Sequence, residues 1–297
     1  MYELSHLTPS AQQVALLDND ERIARIKSDR WIGYPLATRY IQKLNELYTA
    51  PRRQRMANLL IIGPTNNGKS MIVEKFKRDH PIKSYDDYES IPVLSMQMPS
   101  DPSIIRFYSA LLSTTGAPVI YKSRLADLEQ QTLRILQKID LKILIIDEIH
   151  NILSGRNSLQ REFLNLLRYL GNELRISLVS VGTREAYLAI QSDSQLENRF
   201  EPMVLPRWQA NQESCSLLAS FAASFPLQKP SHISSLEMTQ YCLSRTEGTI
   251  GELSALLTSA AIVAVKTGEE SINENTLKIS SYMGPTMRRR QFERDVL

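Results

Sequence analysis

The run Gly63-Pro64-Thr65-Asn66-Asn67-Gly68-Lys69-Ser70 most narrows what this chain can fold into. It satisfies G-x-x-x-x-G-K-[ST] without mismatch. It follows the apolar segment Asn58–Ile62 (NLLII) and precedes Met71, Ile72, Val73 and Phe76. A strand, a glycine-bearing loop and a helix in that order turn backbone amides and a helix N-terminus towards an anion. In such a loop Lys69 is placed to reach β- and γ-phosphates, and the Ser70 hydroxyl to hold Mg²⁺. The segment predicts a nucleotide-phosphate site on an α/β scaffold.

A second segment supplies the acids that such a site needs. Lys142–Ile146 (KILII) is a buried-strand pattern that delivers Asp147 and Glu148 to the carboxyl edge of a sheet. Asp147 is the candidate to share Mg²⁺ with Ser70, and Glu148 to act as general base on an attacking water. Together the two segments imply hydrolysis of ATP as well as its binding. Ile176–Thr183 (ISLVSVGT) is a further apolar run with a polar end. Thr183 either touches the γ-phosphate and water or simply caps the helix that follows. Arg199, in Glu197-Asn198-Arg199-Phe200, is a candidate finger for a neighbouring subunit's nucleotide; in isolation such an arginine more often sits in a surface ion pair.

The remaining pattern agrees with an α/β core. Pro92–Met98 reads as another strand and Met203–Leu205 as a short fifth, and unbroken apolar strands of this kind suit a parallel sheet covered on both faces. Helical stripes lie between them, at Leu125–Ile139 and Leu159–Leu174, so right-handed crossovers are expected. Beyond Pro206 only helical patterns occur, at 210–225, 233–244, 249–267 and 273–281. Residues 10–30 suggest one peripheral helix, and 284–297, with Arg288-Arg289-Arg290, a loose basic arm or a terminal helix. The expected division is an N-terminal extension (1–30), an α/β ATPase core (31–206) with a five-stranded parallel sheet, a helical lid (207–282) and a basic tail (283–297).

Composition excludes several alternatives. The two cysteines, Cys215 and Cys242, make no disulfide framework, and the four histidines are scattered rather than spaced as zinc ligands. The longest apolar run, Leu256–Val265, is too short to cross a bilayer, and the N-terminus lacks the pattern of a secretory signal. No membrane partner and a cytoplasmic setting are expected. The net charge of +3 hides an uneven distribution: Arg22–Arg78 holds 13 Lys/Arg against 3 Asp/Glu. A basic segment in a near-neutral chain suits polyanion contact, and equally suits solvated helix faces around one phosphate-site lysine.

The phosphate loop, acidic strand, polar strand end, NRF arginine and helical C-terminal part resemble an AAA+ ATPase. More narrowly, WIGYP, NLLIIGPTNNGKS, LIIDEIHNIL, VGTREA and NRFEPMVLPRW resemble the TniB/TnsC-type transposition ATPases over residues 31–208. The resemblance implies a bacterial, cytoplasmic, ATP- and Mg²⁺-dependent regulator of DNA transposition. Such a protein oligomerises on double-stranded DNA as a ring or helical filament and links a target-selection protein of the TniQ type to the transposase. Hydrolysis, expected to be slow, disassembles the oligomer. By the same resemblance Gly63–Ser70 bind nucleotide, Asp147 and Glu148 serve Mg²⁺ and water, Thr183 is sensor 1, and Arg199 is the finger in trans. Trp31, Ile32, Tyr34 and Pro35 fall where adenine is enclosed.

One departure stands out. Gly251, in Gly248-Thr249-Ile250-Gly251, occupies the place of the sensor-2 arginine of many AAA+ lids, which either leaves that role to Arg245 or a neighbouring subunit or makes the site a slow one. Lys122, Arg124 and Arg156 are the candidate DNA contacts, with Arg106 nearby, and binding through them would be sequence-tolerant and salt-sensitive. The competing expectations are a helicase-loader or replication-initiator type AAA+ ATPase, and a nucleotide-switched signalling scaffold that needs no DNA.

Overall fold

The computed structural model describes residues 4–86, 88–119 and 123–296. They fall into two compact units. The helical unit comprises the N-terminus to Thr38, Asn66–Gly68 and Arg207 to the C-terminus; the sheet unit comprises Arg39–Thr65 and Lys69–Pro206.

The N-terminal segment contains two helices, α1 (Pro9–Ala15) and α2 (Asn19–Lys27), where the sequence suggested one. Asp18 breaks the run because its carboxylate accepts from the Glu21 amide and so caps α2. Nor is this segment peripheral. The Thr8 amide donates to Ala223 O, and Arg22 and Ile26 on α2 are fully buried. Next comes α3 (Pro35–Thr49), whose buried face carries Ala37, Tyr40, Leu44 and Leu47.

The sheet unit begins with β1 (Asn58–Ile62), buried at all five positions, and α4 (Lys69–Asp79). A small antiparallel hairpin, β2 (Lys83–Ser84) and β3 (Glu89–Ser90), follows; its two-residue strands are too short to leave an alternation in the sequence. Then come β4 (Val93–Gln97), α5 (Ile104–Thr114), α6 (Leu125–Lys138) and β5 (Ile143–Asp147). A 3₁₀ turn at Ile149–Ser154 leads to α7 (Asn157–Leu174), β6 (Ser177–Gly182), α8 (Arg184–Gln191), α9 (Ser194–Glu197) and β7 (Phe200–Val204).

The five long strands form one parallel sheet in the order β4-β5-β6-β1-β7. The first strand thus lies between two of the last, which makes the carboxyl end of β1 a topological switch point. Register lines the edge up: Ile62 lies beside Gly182, Ile146 beside Ser180, and Gln97 beside Asp147. Pro202 is tolerated because β7 is an edge strand, paired only with β1. The helices α5, α6 and α7 bury Phe107, Leu111, Leu128, Leu136, Phe163 and Leu167 in the core over the strands.

The C-terminal part is helical: α10 (Gln212–Ser224), α11 (Leu236–Arg245), α12 (Ile250–Thr267), α13 (Glu274–Ile279) and α14 (Pro285–Val296). Side chains of Asn211, Ser235 and Asn273 cap α10, α11 and α13. By length and composition α12 is long and apolar enough to cross a membrane, although Thr258 and Ser259 interrupt its apolar run. Its stripe of Leu253, Leu256, Leu257, Ala260, Ala261 and Ala264 is nevertheless buried in the helical unit, where α12 packs on α2 and α13. The tail is a helix, not a loose arm. Arg288 bonds Glu252 at 2.6 Å and Arg289 bonds Glu247 at 2.6 Å, so two arginines of the Arg288–Arg290 cluster are engaged within the chain.

Candidate nucleotide site

At the carboxyl edge of the sheet the chain leaves β1 at Gly63, whose amide donates to Gly182 O across to β6. A side chain at Gly63 would lie 2.8 Å from the Leu205 carbonyl, so only glycine lets β1 pass so close to the strand end beside it. Lys69 opens α4 and is 6% exposed. Its ammonium donates to the carbonyls of Gly63 (2.9 Å) and Pro64 (2.7 Å). Desolvation lowers its pKa, and the charges of Asp147 and Glu148 oppose that shift. Among the described residues this buried cation bonds neutral carbonyls, and an anionic phosphate oxygen is the stronger partner for it.

Ser70 Oγ donates to Asp147 Oδ2 at 3.0 Å, joining the first turn of α4 to the end of β5. Hydroxyl and carboxylate already share one point, and both are hard oxygen ligands of the kind Mg²⁺ takes beside phosphates, so the donor set fits that ion. The other carboxylate oxygen, Asp147 Oδ1, accepts the Glu148 amide at 2.8 Å. Glu148 itself has φ of 55°, in the left-handed region, where a non-glycine residue carries about 1–3 kcal/mol of strain. Its Oε2 meets His150 Nε2 at 3.1 Å. His150 went unremarked in the sequence because a lone histidine after an acidic pair carries no spacing signal.

Thr183 follows β6 and holds the N-cap position of α8 without capping it: its hydroxyl bonds the Glu185 carboxylate instead, which holds Glu185 below its ordinary pKa. Arg199 stands elsewhere. Its carbonyl accepts the Asn58 amide at 3.0 Å, at the amino end of β1, and Nη1 donates to Asn172 Oδ1 at 2.9 Å. The strand between Asn58 and Gly63 is about 16 Å long at 3.3 Å per residue. Arg199 therefore lies on the edge away from its own phosphate loop. Burial, with Arg55 and Arg168 nearby, lowers its pKa.

The remaining loop residues belong to the helical unit. Asn66 and Gly68 have φ of 60° and 85°. The Gly251 amide donates to Asn66 O (3.0 Å) and the Ile250 amide to Asn67 Oδ1 (3.3 Å), so the first turn of α12 spends its free amides on this segment. Asn66 Nδ2 bonds Glu252 Oε1 at 3.3 Å. A Cβ at Gly251 would overlap the Asn66 side chain, which accounts for glycine where an arginine was expected. Arg245, the suggested substitute, gives its guanidinium to the carbonyls of Leu277 (2.8 Å) and Tyr282 (3.3 Å). Ile32 and Tyr34 are buried, Trp31 is half-buried, and the Tyr34 ring meets Trp208 edge-on at 5.1 Å. Trp208, not singled out in the sequence, thus joins the aromatic group beside Gly68.

Of the candidate DNA contacts, Lys122 lies outside the described residues. Arg124 and Arg156 are exposed at the N-cap positions of α6 and α7. Each of these helices runs back along the sheet before β5 or β6, so both N-termini are at the carboxyl edge. Arg106, on α5, pairs with Asp101 at 3.6 Å.

No curated protein matches the chain. Among solved structures, the Aeropyrum pernix ORC2 protein (ADPNP-ADP complexes) superposes with a TM-score of 0.61 at 16% identity, covering 86% of this chain and 69% of that one. Cdc6p from Pyrobaculum aerophilum gives 0.59 at 15% identity, covering 86% and 68%. Drosophila ORC bound to DNA gives 0.56 at 12%, covering 91% and 66%. These likenesses establish the fold, that of AAA+ P-loop proteins. The model of a family described as bacterial TniB protein matches residues 22–210, well over half of the sequence. The chain belongs to the bacterial TniB protein family.

Proposed function

We propose that this protein is an ATP-dependent, DNA-binding AAA+ regulator of DNA transposition, which assembles on duplex DNA and connects target selection to a transposase. The observation that carries the reading is the separation of two half-sites. Lys69, Ser70, Asp147 and Glu148 converge at the carboxyl edge of the sheet. Arg199 stands at the other edge, beside the start of β1. A nucleotide held by one copy is then out of reach of that copy's Arg199 until a second copy supplies its own, which makes hydrolysis depend on assembly.

In this reading Lys69 exchanges its two carbonyl partners for phosphate oxygens. Ser70 and Asp147 would hold Mg²⁺, which when bound supplies charge neutralisation at the phosphates. Glu148 takes a proton from the attacking water as the bond to the γ-phosphorus forms, and ADP leaves. Thr183 is the polar strand end facing that phosphate, and Trp31, Ile32 and Tyr34 enclose the base. Arg124 and Arg156 offer guanidiniums at two helix N-termini on one edge, an arrangement that suits phosphate contacts along a duplex. Residues 31–206 act as the ATPase core and 207–282 as its lid. A protein of the TniQ type and the transposase are the proposed partners.

A second reading, a replication-initiator type ATPase, draws support from the solved structures of similar fold that bear ORC and Cdc6 names, one of them bound to DNA. Sedimentation and electron microscopy with duplex DNA, with and without a non-hydrolysable ATP analogue, test the proposal. Nucleotide-dependent rings or filaments that weaken steeply with salt, and are absent in Lys69→Ala, are expected. Assembly indifferent to DNA would refute the DNA function, and full assembly of Lys69→Ala would refute the nucleotide switch. Capture of a helicase rather than a transposase would select the second reading.

A further inference from the structure

We propose that His150 is a positioning residue for Glu148, holding the general base in one orientation at the end of β5. The inference rests on the ATPase reading above and adds a residue to it. Glu148 Oε2 and His150 Nε2 are 3.1 Å apart, and both side chains are partly exposed. The backbone at Glu148 is fixed from the other side by the bond from its amide to Asp147 Oδ1. An unanchored glutamate has three side-chain torsions, and most of its rotamers do not face a given water. Fixing Oε2 on the imidazole leaves Oε1 to accept the proton.

The ring is itself held. Its Nδ1 is buried and has no hydrogen-bond partner among the described residues. That nitrogen faces Gly182: a Cβ there would lie 3.3 Å from Nδ1, 3.2 Å from Ile149 Cγ2 and 2.8 Å from Ala186 Cβ. The missing side chain at Gly182 lets the imidazole pack under the last residue of β6, directly before Thr183. With Nε2–H given to the carboxylate, Nδ1 is the lone-pair side of the ring, so no buried N–H is stranded. Ile149 and Ile152, fully buried, already fill the core beneath this turn. The polar ring is therefore needed for its nitrogen rather than for its volume.

The test uses the full chain on duplex DNA, with H150A and H150Q. Binding of a fluorescent ATP analogue and steady-state hydrolysis separate affinity from turnover. H150A should lower kcat about tenfold, a part of the roughly 10²–10⁴-fold that a general base contributes, and change analogue affinity by less than about twofold. H150Q, whose amide nitrogen reaches the place of Nε2, should restore most of kcat. Added to E148Q, H150A should cost nothing more. Unchanged kcat in H150A, equal losses in H150A and H150Q, or losses that multiply with E148Q would overturn the role.

Nitrogen NMR of the imidazoles gives a readout without turnover. E148A should shift the His150 Nε2 resonance, recognised by its disappearance in H150Q, and an unmoved resonance overturns the pairing. A wild-type protein that binds the analogue but hydrolyses nothing overturns both the ATPase reading and the positioning role, even with the shift present.

Discussion

Arg22→Met tests how the helical unit is held together. Arg22 is 2% exposed and donates to Pro226 O from Nε (3.1 Å) and Nη2 (3.0 Å), and to Glu270 Oε1 from Nη1 (3.0 Å), with Nη2 also on Oε2. Methionine keeps most of the apolar stem and removes the guanidinium. The Glu270 carboxylate is then left with the Gln228 amide at 3.1 Å, and Pro226 O loses both donors. Removing one partner of a buried ion pair costs about 3–5 kcal/mol. At a urea m-value of about 2 kcal/mol/M, the midpoint should fall by about 1.5–2.5 M. Both tryptophans, Trp31 and Trp208, belong to the helical unit, so fluorescence follows its unfolding selectively. R22M/E270Q should recover at least about half of the loss, because the stranded charge is what costs most. A midpoint shift below about 0.5 M in R22M would refute the reasoning, as would a double variant no better than the single one.

Glu148→Gln should retain ATP binding, lose about 10²-fold or more in turnover, and persist as oligomers on DNA by electron microscopy; unchanged turnover would remove Glu148 from the mechanism. Arg199→Ala should bind nucleotide yet hydrolyse poorly. Mixing it with Glu148→Gln should restore measurable phosphate release, because the second protein lends the arginine that the first lacks. A mixture as inert as its components would refute the arrangement in trans. Gly251→Ala should place a methyl group against Asn66 at a cost of about 1–3 kcal/mol, read as weaker nucleotide affinity. Asn66→Gly, which removes the obstructing side chain and suits φ of 60°, should relieve it in the double variant; affinity unaffected by Gly251→Ala would mean that the contact does not form.

The α/β core was legible in the sequence because its signals are local. A strand such as Asn58–Ile62 is apolar at four of its five positions, and the loop after it needs glycine at fixed places. The four later strands of the parallel sheet fell within a few residues of their observed bounds for the same reason. What the sequence did not disclose depends on contacts between distant residues. Arg22 and Glu270 are 248 positions apart, so nothing local marks Arg22 as buried. The glycine at 251 reads as a missing arginine until Asn66 is seen against it. His150 carries no periodic signal, and its place is set by Gly182 on another strand. Arg288 and Arg289 looked like a free cluster because Glu252 and Glu247, their partners, are unremarkable in the sequence.

The burial of α1 and α2 among the C-terminal helices also fixes an order of events during synthesis. Arg22 leaves the ribosome 248 residues ahead of Glu270, a wait of about 12–50 s at 5–20 residues per second. The strands of the sheet unit, all within 58–204, are complete before α12 is made. They can pair while α2, with its arginine and Ile26 uncovered, still has no surface to occupy. This segment is thus made early and secured late, and a nascent chain halted before Glu270 carries an unmatched cation and a bare apolar face on α2. Chaperone crosslinks on such a halted chain should accordingly gather at residues 9–27.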